Sequence, residues 1–209
     1  MKTVSLDIHD LSIIRNRWDL LLRLKEHYPD FKLSAFYIPF DHEYELSSMR
    51  INRERELARL KEHLDWIQLI PHGITHAPRE FETADKWTMK MALQGIDEEM
   101  QKQGLPYEKG FCAPYWLWSQ GVVDALDEAG WWGAVDRNQP KMLRTRRYYE
   151  YSHDIAEPFW LSSNPVLKLH GHMTLPSANN LEDCFLNLTK LPADTKWVYV
   201  TDFIEEAKA

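Results

Sequence analysis

Two histidines separated by three residues, His72 and His76, carry the plainest chemical capacity in this chain. They lie in Pro71-His72-Gly73-Ile74-Thr75-His76, directly after the apolar run Trp66-Ile67-Gln68-Leu69-Ile70. Neutral imidazole is the commonest protein metal ligand. An i, i+4 pair can aim both rings at one point if the segment curls into a helical turn. Taken alone, H-x-x-x-H is more often a loop with two solvated rings. Its weight comes from where the other reactive side chains fall. His9-Asp10, Pro114-Tyr115, Asp136 and His170 each follow a short apolar run of their own, and each run reads as a strand.

Those strands alternate with amphipathic helices. Residues 4–8 read as the first strand, with a helix over 11–25 ended by Pro29-Asp30. Residues 33–38 form the second strand, 41–48 a polar loop and 50–64 a charge-laced helix. After the strand before His72 comes a helix over 83–103, capped by Thr83 and stopped by Gly104. A strand at 110–113, a helix over 119–129 closed by Gly130 and a strand at 131–135 follow. Residues 138–163 are the least legible, with one strand at 148–155. A strand at 166–169, a helix over 181–191 and a strand at 197–201 complete the order. Strands alternating with helices mean βα units and a parallel sheet. The chain is therefore expected to be a single α/β domain, an irregular (β/α) barrel of seven or eight parallel strands, with an open doubly wound sheet as the alternative. In such a barrel the strand C-termini share one rim, so residues remote in sequence meet in one cleft.

Composition narrows the partners. A chain of 209 residues with net charge −7 is a poor match for a polyanion, so no nucleic-acid partner is expected. The basic cluster from Arg144 to Arg147 reads as a solvated loop. Nine tryptophans offer indole faces that stack on sugar rings, so a small-molecule or carbohydrate substrate is expected. Cys112 and Cys184 form no disulfide framework and read as reduced thiols. With no apolar leader and no stretch long enough to span a bilayer, the expected location is the cytoplasm.

At this point the chain resembles the polysaccharide deacetylases, the NodB-homology domain of carbohydrate esterase family 4. His72-Gly73-Ile74-Thr75-His76 resembles the family's two-histidine metal motif. Phe111-Cys112-Ala113-Pro114-Tyr115-Trp116 is similar to its R-x-P-Y motif, with Cys112 where the arginine stands. Leu167-Lys168-Leu169-His170 resembles the motif that ends in the general-acid histidine. Asp136 stands where the family carries an acidic residue supporting that histidine. The family's first motif is a pair of aspartates, the catalytic base and then a metal ligand. Here Ser5-Leu6-Asp7-Ile8-His9-Asp10 allows two registers. With Asp7 as base, Ile8 falls on the ligand position and cannot bind metal. With His9 as base, Asp10 becomes the ligand, and this register is preferred.

The resemblance implies a divalent metal, zinc first, held by Asp10, His72 and His76. It also implies Asp7 or His9 as base, His170 (or His172) as acid and the Tyr115 N–H facing the oxyanion; the Trp116 indole, more often a core residue when taken alone, is placed to line a sugar subsite. His172, two residues beyond His170, is placed to face the same cleft. Two imidazoles and one carboxylate leave positions open for water and substrate, as catalytic sites require. A histidine base needs no arginine to keep it ionised, and a guanidinium beside it would depress its pKa. Cys112→Arg is therefore expected to lower activity. The reaction implied is removal of an acetyl group from an N-acetylated sugar or a related amide. The alternatives are hydrolysis of a non-sugar C–N bond, or a non-catalytic carbohydrate-binding or assembly protein on the same fold.

Overall fold

The structure is a computed structural model that describes residues 1–41, 53–174 and 176–207. Its elements in chain order begin with β1 (Thr3–Leu11), α1 (Trp18–His27), β2 (Leu33–Tyr37) and α2 (Arg53–Lys61). Then follow β3 (Ile67–Pro71), α3 (Lys86–Gln103), β4 (Gly110–Phe111), α4 (Gln120–Ala129) and β5 (Trp132–Val135). The chain closes with β6 (Arg147–Glu150), β7 (His153–Asp154), β8 (Val166–His172), α5 (Leu181–Leu188), β9 (Lys196–Val198) and β10 (Glu205–Glu206).

One ladder runs β3-β2-β1-β8-β7 and a second runs β10-β6-β5-β4. Two seams join them. The first is a single parallel bridge between His72 and Cys112. The second is the chain itself, which passes from β6 through Tyr151-Ser152 into β7. At that break the Ser152 amide donates to Lys168 O at 2.8 Å and its hydroxyl accepts from Lys168 N at 3.0 Å. Counting β6 and β7 as one kinked stave, seven parallel staves close on themselves. The expected strand at 148–155 is thus present but broken, which is why its pattern was faint. The α/β barrel expected from the alternation of elements is the observed architecture.

Two apolar layers follow from strand alternation. On β1, Val4, Leu6 and Ile8 point outward into the layer beneath the helices, with Trp18, Leu21, Leu24 and Leu126 among its members. Inside the barrel a smaller cluster gathers Phe36, Ile70, Cys112, Trp132, Ala134, Tyr149 and Tyr151 from successive staves. The alternate residues of β1, namely Ser5, Asp7 and His9, are buried and polar. One sector of the interior is therefore reserved for chemistry.

Several boundaries moved for local reasons. The helix expected from residue 11 starts at Trp18, because the Ser12 hydroxyl accepts from the N–H groups of Ile14 and Arg15 and holds a turn. Asp85, not Thr83, caps α3 by accepting from Thr88 N at 2.7 Å. Residues 200–203 form a 3-10 turn instead of extending the last strand. Of the loop expected at 41–48 and the helix start at 50–52, all but Asp41 lies outside the described residues.

Candidate active site

β1 does not stop at Ile8 but continues through Leu11, so His9 and Asp10 sit inside the strand rather than beyond it. Neighbouring strand residues normally face opposite sides. Here the pairing with β2 slips between Ile8 and Leu11, and Asp10 adopts a left-handed φ of 65°. A bulge of this kind re-aims a side chain. Both His9 and Asp10 now address the same cavity.

Asp10 Oδ1 lies 2.9 Å from His76 Nε2 and 3.4 Å from His72 Nε2. That oxygen is buried yet makes no well-directed hydrogen bond. On the other edge of the His72 ring, Nδ1 is 3.0 Å from Cys112 O. A carbonyl only accepts, so Nδ1 carries the proton and Nε2 keeps its lone pair toward Asp10. Ligand atoms of Asp10, His72 and His76 all lie within 4.8 Å of one another. An orphan carboxylate oxygen among basic nitrogens fits a divalent cation better than it fits a proton network. Burial pushes the Asp10 carboxyl up, but the facing imidazoles of His72 and His76 outweigh it and hold the group far below the carboxylate range. Burial pushes His72 below the ordinary imidazole value, with Asp10 opposing.

The His72–His76 segment does not form the expected helical turn. Gly73, at φ 67°, turns the chain, and His76 itself is left-handed at φ 64°. The Glu80 carboxylate then accepts from the N–H of Ile74 and the N–H and hydroxyl of Thr75, each at 3.0 Å. The spacing brings the rings together, but through a clamped loop.

Behind this group lies a second one. Asp7 Oδ1 is 2.6 Å from His170 Nδ1 and 3.4 Å from His9 Nε2, while Asp7 Oδ2 accepts from Tyr149 Oη at 3.0 Å. β1 and β8 pair with Asp7 opposite His170 and His9 opposite His172. His9 packs against Phe36, His72, His170 and Trp116. Burial, reinforced by the neighbouring imidazoles, drives the His9 pKa well below its ordinary value. Burial and His170 lower that of His172. The His172 Nδ1 edge meets Asn179 Oδ1 at 2.7 Å.

A cleft of about 740 Å³ opens over both groups. Its lining includes His9, Asp10, His72, His76, Tyr115, Trp116 and His172, but neither Asp7 nor His170. Tyr115 and Trp116 occupy a 3-10 turn at φ 57° and 60°, and Tyr115 is 57% exposed at the rim. One expectation changes here. Asp136 does not touch His170. It accepts from Tyr151 Oη at 2.6 Å and reaches the imidazole only through the Tyr151 ring, 4.6 Å away between centroids. The carboxylate that holds His170 is Asp7, because their strands pair in register. Cys112 is fully buried, and burial lifts its thiol well above its ordinary range. Tyr149, Tyr151, Asn179 and Glu80 escaped the sequence reading. Only the Tyr149-Glu150-Tyr151 alternation gave any signal.

No family sequence profile matches the chain, and none of the curated proteins matches it in sequence. Solved structures do match. A deacetylase solved with its substrate superposes with a TM-score of 0.63 at 15% identity, over 100% of this chain and 96% of its own. The chitin deacetylase of the fungal pathogen Colletotrichum lindemuthianum gives 0.62 at 14% identity, over 98% and 88%. A family 4 carbohydrate esterase pseudoenzyme from Bacillus anthracis gives 0.59 at 18% identity, over 96% of this chain and 64% of its own. The fold is the NodB-like deacetylase barrel. At such identities the likeness fixes the architecture of the barrel, while the chemistry has to be argued from the residues that line it.

Proposed function

We propose that the protein is a metal-dependent hydrolase that removes an acetyl group from the nitrogen of an N-acetylated sugar or a related amide. The observation that carries this reading is the meeting of Asp10 Oδ1, His72 Nε2 and His76 Nε2 beneath a cleft walled by Trp116 and Tyr115. These three residues would hold a divalent cation, and their nitrogen and carboxylate donors suit zinc with positions left open. A bound ion supplies Lewis-acid polarisation of the acyl oxygen and acidity for a water.

The chain's own groups supply the rest. His9 lines the cleft and is kept neutral at physiological pH by burial and its imidazole neighbours, so it can take the proton of an attacking water. Asp7 is withdrawn from the cleft and acts by holding His170 and facing His9. Of the two β8 histidines, His172 lines the cleft and His170 stands behind it. His172 is also kept largely neutral, so the proton it delivers to the leaving nitrogen is the one His9 has removed. Their ring centroids are 5.5 Å apart. The Tyr115 N–H is the candidate donor to the tetrahedral oxyanion, and the Trp116 indole offers a face for a sugar ring. Both cysteines are buried free thiols, which accords with a reducing, cytoplasmic setting.

The test is metal analysis of protein purified without added metal, joined to acetate release from N-acetyl sugars. One retained equivalent of zinc is expected, with both zinc and turnover lost in Asp10→Asn and in His76→Ala. Zinc without acetate release would leave hydrolysis of another amide or a binding role. The binding role is the reading that Cys112, in the slot of the family's arginine, favours. A protein that takes up no zinc at neutral pH would sink the hydrolase.

A further inference from the structure

We propose that His9, His170 and His172 form a second cation site, adjacent to the Asp10/His72/His76 group and sharing no ligand with it. One ring nitrogen of each lies within 4.8 Å of the other two. Ring centroids are 4.5 Å apart for His9–His170, 4.9 Å for His170–His172 and 5.5 Å for His9–His172. The convergence follows from the ladder. His9 pairs across from His172, and His170 is two residues earlier on the same strand, so alternation turns all three rings to one side.

Two features mark this as a site for a ligand rather than a packed cluster. First, two of the three rings are oriented as metal-binding imidazoles usually are, with the far edge held by an acceptor. His170 Nδ1 is 2.6 Å from the Asp7 carboxylate. His172 Nδ1 is 2.7 Å from Asn179 Oδ1, and Asn179 is itself fixed by donating to Asp154 Oδ2 at 2.6 Å. Carboxylate and amide oxygens accept, so Nδ1 is the donating nitrogen of each ring and the Nε2 edge is the one left to meet a ligand. Second, His9 is 2% exposed and its Nε2 makes no hydrogen bond. The nearest carboxylate oxygen, Asp7 Oδ1, stands 3.4 Å off and out of line.

Three imidazole nitrogens with no carboxylate among the ligands select borderline cations such as Zn(II), Co(II), Ni(II) or Cu(II) over magnesium or calcium. Entry is open, because His9 and His172 both line the cleft. The remaining trio, His9 with His72 and Cys112, is a weaker candidate. Its thiol is held protonated by burial, and His72 faces Asp10.

Filling this second site would take His9 and His172 out of proton transfer, so excess metal should inhibit. That consequence rests on the hydrolase reading; the binding itself does not. The test is titration of metal-free protein with Co(II) and Zn(II), followed calorimetrically and by visible absorption. Two equivalents are expected in the wild type. His170→Gln and His172→Gln should each lose one and keep the other, the retained equivalent serving as the check on folding. His76→Ala should lose the complementary one. Zinc-edge anomalous maps of crystals soaked in excess zinc should show a peak among His9, His170 and His172. A single equivalent in the wild type, or a second anomalous peak elsewhere, would overturn the site. If two equivalents bind and turnover is indifferent to the second, the site stands and the proton roles of His9 and His172 fall.

Discussion

Asp10, His76, Tyr115 and Trp116 hold left-handed backbones at φ between 57° and 65°, and all four line the cleft. For residues other than glycine such conformations cost on the order of 1–3 kcal/mol each and gather at functional sites. Asparagine tolerates this region nearly as well as aspartate, so Asp10→Asn removes the charge without adding strain. Protonation gives a second handle on the same residues. His9, His72 and His172 are all held below the ordinary imidazole value of 6.5. Below that pH the unfolded chain binds protons that the folded chain refuses, so stability must fall as pH drops through 6.5. Thermal melts of metal-free protein between about pH 8 and 5 should show a falling Tm below this point; a flat profile would mean these rings are not buried as described. The acid limb of kcat/KM should likewise lie below 6.5 if His9 is the base. Cys112 offers a sharper contrast. Its carbonyl, not its thiol, holds His72, so Cys112→Ala should keep metal affinity and lose only about 1 kcal/mol of stability. Cys112→Arg must force a guanidinium into a fully buried position, so lost activity there would reflect packing as well as electrostatics.

The loop between β3 and α3 shows how one element aims two imidazoles. A Cβ on Gly73 would fall 2.5 Å from Glu80 Oε2 and 2.6 Å from Pro114 Cγ, so only glycine lets the chain pass. Glu80 then ties the strand end to the turn that carries His76. Glu80→Ala should weaken metal binding about tenfold or more, within the range seen when groups behind metal ligands are removed, while Tm of the metal-free protein changes little. Calorimetric titration beside a melt would separate the two. Much of this level was legible in the sequence. Gly104 and Gly130 end α3 and α4 as expected, at φ 65° and 72°. What stayed hidden depended on partners distant in the chain. Nothing near Ser12 announces that its hydroxyl would hold a turn and delay α1. Nothing near Tyr151 shows that β6 must break where Ser152 meets Lys168. The convergence of Asp10, His72 and His76 could be anticipated because motif order preserves it, whereas Asn179 and Tyr149 enter the site only through ladders that a linear reading does not contain.

At the scale of the whole barrel, closure between β3 and β4 rests on a short seam. Cys112 N donates to Pro71 O at 3.2 Å, and Gly73 N donates to Cys112 O at 3.1 Å. The same carbonyl faces His72 Nδ1. A cation held by His72 would therefore brace the seam from inside. Hydrogen exchange of the Cys112 and Gly73 amides should slow on zinc binding more than that of the β1–β8 ladder, whose register is unbroken from Thr3 to His9. Equal slowing everywhere would indicate only global stabilisation by mass action. No helix among the described residues is long and apolar enough to cross a membrane.

The kink at Asp10 has a further implication. A regular stave offers the lumen every other residue, so a ring of seven could present few groups at any one depth. By slipping its register once, β1 delivers consecutive side chains, an imidazole and a carboxylate, to the same chamber. Deleting or inserting one residue between Leu6 and Asp10 would exchange inward and outward faces, driving Ile8 into the chamber and His9 beneath the helices. The tolerance of this strand to length change should accordingly be close to nil, even where side-chain replacement is permitted.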